Sequence, residues 1–174
     1  EKLEKNELEA FEAVIHLAAV TDAARGDSKN IEKININHTR DFIDKLCGLN
    51  ISPLFVFPSS TSVYGTASKI VKEDDKKCLN PQSYYAQAKL EIEDFIRETY
   101  PSYFVLRLGT IFGVTPGMRF HTAINHFCWN ASNGLPVNVW EENYDFYRPY
   151  LDVKDASRTI NHLLNKKEFN NETY

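Results

Sequence analysis

The chain has 174 residues, of which 43% are hydrophobic and 13% aromatic, a composition sufficient for one packed domain. Its formal net charge of −4 argues against a nucleic-acid partner, and no run of about 18 apolar residues predicts a membrane span. Cys47, Cys78 and Cys128 are isolated in sequence, so we expect free thiols, a cytoplasmic location and no metal site.

The first predicted elements are a short strand and an amphipathic helix. Residues 13–17 form an apolar strand that runs into His16-Leu17-Ala18-Ala19, and His16 is expected to be a structural histidine. Asn30 is predicted to cap a helix that ends at Gly48. Asn35 lies on the apolar stripe of that helix, where a polar side chain needs a partner. It is therefore either a site residue or a structural core amide.

The next strand delivers small hydroxyl residues to one edge of the predicted sheet. Residues 51–57 are rich in β-formers, and the run breaks at Pro58 into Ser59, Ser60 and Thr61. Open α/β sheets bind ligands at the carboxyl ends of their strands. These hydroxyl groups are therefore candidates for a binding or catalytic site.

A helix over residues 80–99 is predicted to follow, with Asn80 as its cap and Pro81 at its first position. Its apolar stripe includes Lys89, although burial of a lysine is costly unless the charge has a partner or a function. Tyr85 precedes Lys89 by four residues, so the two side chains lie one turn apart and can act on one reacting group.

The remaining chain first continues the alternation of strands and helices, and its pattern changes beyond residue 110. Residues 103–108 predict a third strand, and the strand–helix alternation favours parallel strands with right-handed crossovers. Beyond residue 110 we expect a helix over 120–133, a strand over 135–140 and a helix that begins at Asp155. Asn125 and Trp129 are candidates for sugar or base contact, with core packing as the alternative. Arg148 lies in the aromatic-rich segment 144–150.

Several of these strings occur together in the order found in one known family. The set comprises Ser60, Tyr85 and Lys89, Val63-Tyr64-Gly65, His16-Leu17-Ala18-Ala19, Asn35-Ile36-Asn37-His38-Thr39 and Arg148-Pro149-Tyr150-Leu151-Asp152-Val153. Together they resemble the extended short-chain dehydrogenase/reductase family, which includes NAD-dependent nucleotide-sugar epimerases and dehydratases.

The resemblance implies a Rossmann-like, doubly wound parallel α/β sheet followed by part of a small substrate-binding region. The chain contains no G-x-x-G-x-x-G string, so we expect that the first βαβ unit is missing and that the sequence is truncated at both ends. Residues 1–110 are then a partial NAD-binding domain, and residues 111–174 a partial substrate-binding region. A return of residues 150–165 to the sheet is the alternative for that segment.

The resemblance also implies roles for individual residues. Ser60, Tyr85 and Lys89 would be catalytic. The cofactor would be NAD, with NADP as the alternative. Its binding residues would be Leu17, Ala18, Ala19, Asn35, Ser59, Tyr85 and Lys89. The substrate-binding residues would be Thr61, Thr110, Asn125 and Arg148. The chain departs from the family pattern at Thr110, where Asn is common, and at Pro149 and Asp152.

The implied activity is epimerisation of a nucleoside-diphosphate sugar. Dehydration is disfavoured, because Thr61 and Ser62 stand where the family dehydratases carry an Asp-Glu pair. A sugar-nucleotide dehydrogenase or reductase and a non-catalytic binding relative are the alternatives. The family also implies a homodimer through the helices at residues 30–47 and 80–99.

Overall fold

The computed structural model describes residues 4–21, 27–66, 70–139, 141, 147–165 and 171–174. The chain divides into two compact units. The first comprises residues 1–107 and 164–174, and the second comprises residues 108–163. Residues of the predicted site are found in both units.

The first unit is built on a four-stranded sheet in the order β1-β2-β3-β6, with β1 Ala13–Ile15, β2 Leu54–Ser60, β3 Tyr103–Leu108 and β6 Glu172–Thr173. β1 pairs with β2 in parallel, and β3 pairs with β6 in parallel. The prediction of a parallel α/β sheet is therefore confirmed. The segment that returns to this sheet is β6, whereas residues 150–163 belong to the second unit.

The helix that follows β1 contains a π-helical stretch that the sequence pattern did not predict. It begins as α2 (Ser28–Ile31), passes through π-helical turns at Glu32–Asn37, and continues as α3 (His38–Gly48). Its first turn is capped by Asp27, whose carboxylate accepts from the amide of Lys29, and not by Asn30. After the π-helical turns, His38 is exposed and Thr39 is buried.

The helix that carries Tyr85 and Lys89 is α4, Tyr84–Thr99. The prediction of its start was wrong: Ser83 is the cap, and its hydroxyl accepts a hydrogen bond from the amide of Ala86 at 3.2 Å. The Asn80-Pro81 pair therefore belongs to the preceding loop. α4 buries Ala86, Ala88, Lys89, Ile92, Glu93 and Ile96 against its own unit.

The core of the first unit lies between the sheet and these helices. Its buried side chains are Leu8 of the short helix α1 (Lys5–Glu9), Ile43, Leu46, Ile51, Phe55, Phe57, Ile92, Ile96, Tyr100, Tyr103 and Val105. Side chains of the two helices from which the dimer was predicted also pack against this core. Ile92 is fully buried, and Ile36 and Phe95 are partly buried against the same cluster.

A short 3-10 helix at Thr61–Tyr64 follows β2 and explains the Val63-Tyr64-Gly65 string. Val63 and Tyr64 are buried. Gly65 has φ = 61°, and a Cβ there would lie 2.2 Å from the carbonyl oxygen of Asn80. Only glycine fits this turn, because it accepts the left-handed conformation and leaves room for the neighbouring backbone.

The second unit contains a two-stranded parallel sheet and two helices. β4 (Thr110–Phe112) pairs with β5 (Tyr150–Asp152), and the helices are α5 (Ala123–Ser132) and α6 (Val153–Leu164). Residues 135–139 were predicted as a strand but form none and are exposed, while Trp140 lies outside the described residues. The predicted helix over 120–133 is shorter in the structure, and Phe120 before it and Ala131 within it are exposed.

No helix in the described part of the chain is long and apolar enough to cross a membrane. Within the same residues, no group of three or more His, Cys, Asp or Glu side chains is placed to hold a metal ion. Cys47, Cys78 and Cys128 are free thiols.

Candidate active site

The carboxyl end of β2 carries Ser60, whose side chain is half-buried. Its hydroxyl oxygen accepts a hydrogen bond from the amide of Ser62 at 3.1 Å, which caps the 3-10 helix. Because the oxygen is used as an acceptor, the hydroxyl proton remains the group through which Ser60 can bind a ligand oxygen. Thr61 follows as the first residue of the 3-10 helix and is also half-buried.

Lys89 is buried, with 5% of its surface exposed, and its ammonium group points to the end of β2. Nζ donates to the carbonyl oxygen of Pro58 at 2.7 Å and lies 4.5 Å from the centroid of the Phe57 ring. Burial lowers the pKa of Lys89 to about 8, and the negative charge of Glu93 opposes this decrease. The site therefore contains a cation whose protonation is sensitive to its surroundings.

Tyr85 lies beside this cation, as its spacing from Lys89 predicted. The ammonium nitrogen of Lys89 is 5.8 Å from the centroid of the Tyr85 ring, and Tyr85 is half-buried. The structure thus brings an ionisable phenol, a buried cation and the end of β2 together within the first unit. This arrangement can stabilise a phenolate, because a nearby positive charge favours the ionised form of tyrosine.

His16 is a structural residue at the end of β1. Its Nε2 lies 3.0 Å from the hydroxyl oxygen of Thr39, and its ring stacks on those of Phe55 and Phe57 at centroid distances of 5.7 and 6.3 Å. Burial, together with the charge of Lys89, lowers its pKa to about 4. His16 is therefore neutral at physiological pH, and the structural interpretation of this residue is supported.

The backbone that follows His16 is open to a ligand. Leu17 and Ala18 are exposed, Ala19 is half-buried, and the segment forms neither helix nor strand. Two small side chains leave room for a ligand to approach the main chain directly. The turn lies immediately after a parallel strand, where open α/β sheets bind nucleotides.

Asn35 holds this turn in place through its side-chain amide. Its amide oxygen accepts from the backbone N–H of Val20 at 2.7 Å, and its amide nitrogen donates to the Val20 carbonyl at 2.9 Å. Asn35 was predicted as either a site residue or a structural core amide, and these two bonds favour the structural alternative. The π-helical stretch carries Asn35 into the interior, and its 4% exposure fits a structural clamp on the Leu17–Val20 segment.

Ser59 was predicted as a cofactor contact, and the structure gives its hydroxyl a partner within the protein. It is buried, and its hydroxyl donates to the carboxylate of Glu93. β2 is buried on both faces up to Ser59, and Ser60 is its first partly exposed residue. The hydroxyl of Ser59 is thus engaged inside the protein.

A buried charged cluster around Glu93 was not predicted from the sequence. Arg107 donates from Nε to both carboxylate oxygens at 3.1 Å and from one terminal nitrogen at 2.6 Å. Its other terminal nitrogen donates to the Tyr64 hydroxyl at 2.8 Å. Two features of the sequence could have indicated this cluster. Arg107 interrupts the apolar run of β3, and Glu93 lies four residues after Lys89 on the same face of α4.

The predicted substrate residues of the second unit differ in accessibility. Thr110 is exposed in β4, and Arg148 is exposed just before β5. Asn125 is buried: its oxygen accepts from the amide of Gly113 at 3.1 Å and its nitrogen donates to the Arg119 carbonyl at 3.1 Å. This geometry favours the structural alternative for Asn125. Tyr144 lies outside the described residues, while Tyr147 and Tyr150 are exposed.

The residues of the first unit fit the nicotinamide and ribose portion of a dinucleotide. Lys89 offers a buried ammonium donor at a strand end, and the Leu17-Ala18 turn offers accessible backbone. Binding of the pyrophosphate normally uses a glycine-rich loop at a helix amino end, and the 174 residues contain no such string. The residues of the first unit therefore suit the nicotinamide and ribose end of the cofactor and not its pyrophosphate.

Comparison with known proteins adds independent support for the fold. A UDP-glucuronic acid 4-epimerase from Bacillus cereus, solved with UDP-glucuronic acid and NAD, superposes with a TM-score of 0.78 at 23% identity over 95% of this chain and 53% of that chain. RMD from Pseudomonas aeruginosa, solved with NADPH, has a TM-score of 0.74 at 26% identity over 98% of this chain and 64% of that chain.

A curated relative is similar in sequence as well. D-erythronate dehydrogenase from Cupriavidus necator is 37% identical over 110 residues, which are 60% of this chain and 33% of the relative. The chain thus spans a third of this enzyme and 53% of the Bacillus epimerase. The model of the NAD dependent epimerase/dehydratase family matches residues 2–174. Since the match covers nearly the whole chain and the parallel sheet agrees with it, the chain belongs to this family, within the extended short-chain dehydrogenases/reductases.

Proposed function

We propose that the protein is an NAD-dependent epimerase of a nucleoside-diphosphate sugar, with Ser60, Tyr85 and Lys89 as its catalytic residues. The observation that carries this proposal is the buried ammonium group of Lys89, 5.8 Å from the Tyr85 ring and at the strand end that presents Ser60. A buried lysine is costly, and here its charge lies beside a side chain that needs a cation to act as a base.

Tyr85 is the general base for a sugar hydroxyl. A free tyrosine titrates near pH 10, and a neighbouring cation favours its phenolate form. The phenolate oxygen takes the hydroxyl proton, while Ser60 donates a hydrogen bond to the oxygen that loses it. Bound NAD would supply the hydride acceptor for the carbinol carbon and the donor that restores it, so that this carbon can be inverted. Tyr85 returns the proton at the end of the cycle.

Lys89 has a second role in this proposal, which is to hold the ribose next to the nicotinamide. The accessible backbone of Leu17, Ala18 and Ala19 lines the same cofactor, and Asn35 keeps that turn in position. In the second unit, the exposed guanidinium of Arg148 is suited to a diphosphate, because its planar fork can donate to two phosphate oxygens. Thr61 and Thr110 are proposed as further substrate contacts.

The experiment combines cofactor and turnover measurements on the purified protein. NAD and NADP are titrated separately, and UDP-glucuronic acid is the first substrate tested because the Bacillus epimerase was solved with it. Tyr85→Phe should lower turnover by at least about 100-fold and leave cofactor affinity unchanged, since only the proton-transferring oxygen is lost. Tyr84→Phe is the matched control, because Tyr84 is the neighbouring tyrosine and is 67% exposed.

A second candidate function is a dehydrogenase, which the similarity to D-erythronate dehydrogenase favours. The two functions differ in a measurable way. An epimerase regenerates its oxidised cofactor in each cycle, whereas a dehydrogenase accumulates reduced nicotinamide in proportion to product. Accumulation of reduced cofactor would refute the epimerase proposal and support the dehydrogenase. Cofactor binding without turnover on nucleotide sugars or sugar acids would favour a non-catalytic binding protein.

We further propose that the protein forms a homodimer through the surfaces of α3 and α4 and is located in the cytoplasm. Leu90 of α4 is a half-buried apolar residue on this surface, and Ile36 and Phe95 are partly exposed nearby on the two helices. The three free thiols are in keeping with a reducing compartment.

A further inference from the structure

The carboxylate of Glu93 is fully buried one helical turn after Lys89. It accepts from three side chains in the first unit. Arg107 binds both oxygens, Arg97 donates to one oxygen at 2.7 Å, and Ser59 donates its hydroxyl proton to the other. A buried carboxylate normally needs this degree of compensation, because an unpaired buried charge is strongly unfavourable.

The donors come from three separate elements, so the hydrogen bonds to Glu93 connect these elements within the unit. Ser59 lies in β2, Arg107 lies in β3, and Arg97 lies in α4 itself. Arg107 also donates to the Tyr64 hydroxyl and to the backbone carbonyl of Glu73 at 3.2 Å. Glu93 therefore links α4 to two strands of the sheet and, through Arg107, to the 3-10 helix that follows Ser60.

We propose that Glu93 is a positioning residue for Ser60, Tyr85 and Lys89, because it fixes α4 relative to the strand end that these residues share. The inference rests on the proposed function, which assigns the chemistry to those three residues. It assigns Glu93 no contact with substrate or cofactor. Arg107 and Ser59 act through Glu93 in the same way.

The geometry explains how one carboxylate can orient both sides of the site. Glu93 accepts from the hydroxyl of Ser59, so this bond fixes the end of β2 from which the next residue, Ser60, projects. Lys89 lies four residues before Glu93 on the same side of α4, so the anchored turn also determines where its ammonium group meets Pro58. A small misplacement of reacting groups is sufficient to reduce an enzyme's rate substantially.

Glu93 is also linked to the site by charge. Lys89 is faced by Glu93 and Tyr85 on its own helix, by His16 after β1, and by the Phe57 ring and Pro58 carbonyl of β2. Around Glu93 lie Arg97, Arg107, Tyr64 and Glu73. The carboxylate raises the pKa of Lys89 against the effect of burial. Loss of that negative charge should therefore lower the Lys89 pKa, and loss of a neighbouring positive charge should raise it.

The experiment measures the Lys89 titration by NMR of its side-chain carbons in the purified protein, together with the pH profile of kcat/KM. Glu93→Gln should lower the Lys89 pKa and reduce kcat/KM by about 10-fold or more, as expected for misplaced catalytic groups. Asp94→Asn is the matched control. Asp94 is the next residue on α4 and also pairs with Arg97, but its side chain is 55% exposed. It should leave the Lys89 titration and kcat/KM unchanged.

Arg97→Gln is the second variant and keeps the result decisive if Glu93→Gln does not fold. It leaves the bonds from Ser59 and Arg107 in place, and it should raise the Lys89 pKa. A Glu93→Gln protein with a lower melting temperature but an unchanged Lys89 titration would show that Glu93 is merely structural. If Glu93→Gln is unfolded, an unchanged titration in Arg97→Gln would overturn the proposal. Activity retained by Tyr85→Phe would instead refute the proposed function, while the NMR titration would still test the coupling of Glu93 to Lys89.

Discussion

The ammonium group of Lys89 donates a hydrogen bond to the carbonyl oxygen of Pro58 at 2.7 Å, so the helix of the Tyr85-x-x-x-Lys89 pair is joined directly to the end of β2. Pro58 cannot donate a backbone hydrogen bond, but its carbonyl is a full acceptor. The proline that interrupts the apolar run of β2 is therefore the residue whose carbonyl binds the ammonium group of Lys89.

This contact predicts a descending limb in the pH profile of kcat/KM. Because burial lowers the pKa of Lys89 to about 8, the cation is lost as the pH rises through this value. The phenolate of Tyr85 then loses its stabilising charge. We expect activity to fall above about pH 8 in the wild-type protein and the limb to move to higher pH in Lys89→Arg, since arginine retains its charge.

The control is Lys77→Arg, the same substitution at an exposed lysine of the 3-10 helix Lys76–Cys78. It should leave the limb where it is. A flat profile between pH 7 and 10 in the wild-type protein would contradict this role for Lys89.

Sequence spacing predicted the parts of the site that depend on local periodicity. Tyr85 and Lys89 share a helix face because residues four apart do so in any α-helix, and the β-formers before Pro58 indicated a strand that ends in hydroxyl residues. The strand 103–108 was predicted with the bounds that the structure shows.

The features that were missed depend on tertiary contacts. Arg107 in β3 and Glu93 in α4 satisfy each other across the unit, and neither residue alone shows that it has a buried partner. The predicted start of α4 was wrong because Asn and Ser are both favourable helix caps, and the proline after Asn80 is favourable at the first helical position. Asn80 is instead held by the turn at Gly65, where its amide donates to the Val63 carbonyl at 2.9 Å.

Arg148 provides a prediction for substrate binding. Arg148→Ala should raise KM and Kd for the nucleotide sugar by an amount equivalent to about 2–5 kcal/mol, since a charged hydrogen-bond partner of the diphosphate is removed. Calorimetric titration of the substrate measures this change. Arg158→Ala is the control in the same unit, because Arg158 lies exposed on α6 and pairs with Asp155. Equal activity of the wild-type protein on the free sugar would contradict diphosphate recognition.

His16 provides a prediction for stability. Its pKa is about 4 in the folded chain and 6.5 in an ordinary environment, so the unfolded chain binds the proton more tightly between these values. Acidification from about pH 6.5 to about pH 4 should therefore cost the folded state up to about 3 kcal/mol through this residue. Well above pH 6.5 the residue is neutral in both states and contributes no pH dependence.

Urea unfolding at several pH values measures this effect. His16→Gln should flatten the dependence of the unfolding free energy between pH 4 and 6.5, whatever its stability at neutral pH. His38→Gln is the control, because His38 is exposed on α3 in the same unit. A slope that persists in His16→Gln would show that other groups cause the acid sensitivity.

The proposed dimer surface has few apolar side chains that are not already used by the core of the first unit. Ile92 is fully buried in its own core, and Ile36 and Phe95 pack partly against the same core. The guanidinium of Arg40 also covers the Phe95 ring at 5.0 Å. Leu90 is the half-buried apolar side chain on α4 that does not pack against this cluster, so it is the residue whose substitution tests the interface most directly.

Sedimentation equilibrium at micromolar concentration should show a dimer for the wild-type protein and a monomer for Leu90→Gln, with the fold retained in both. Two-fold association places the same patch of each copy at the contact, so one substitution acts twice in each dimer. Ile70→Gln removes an apolar side chain that is 94% exposed and lies outside both helices, and it should leave the dimer intact. A wild-type monomer would show that the partly exposed residues of α3 and α4 only complete the surface of their own unit, as scattered apolar side chains commonly do.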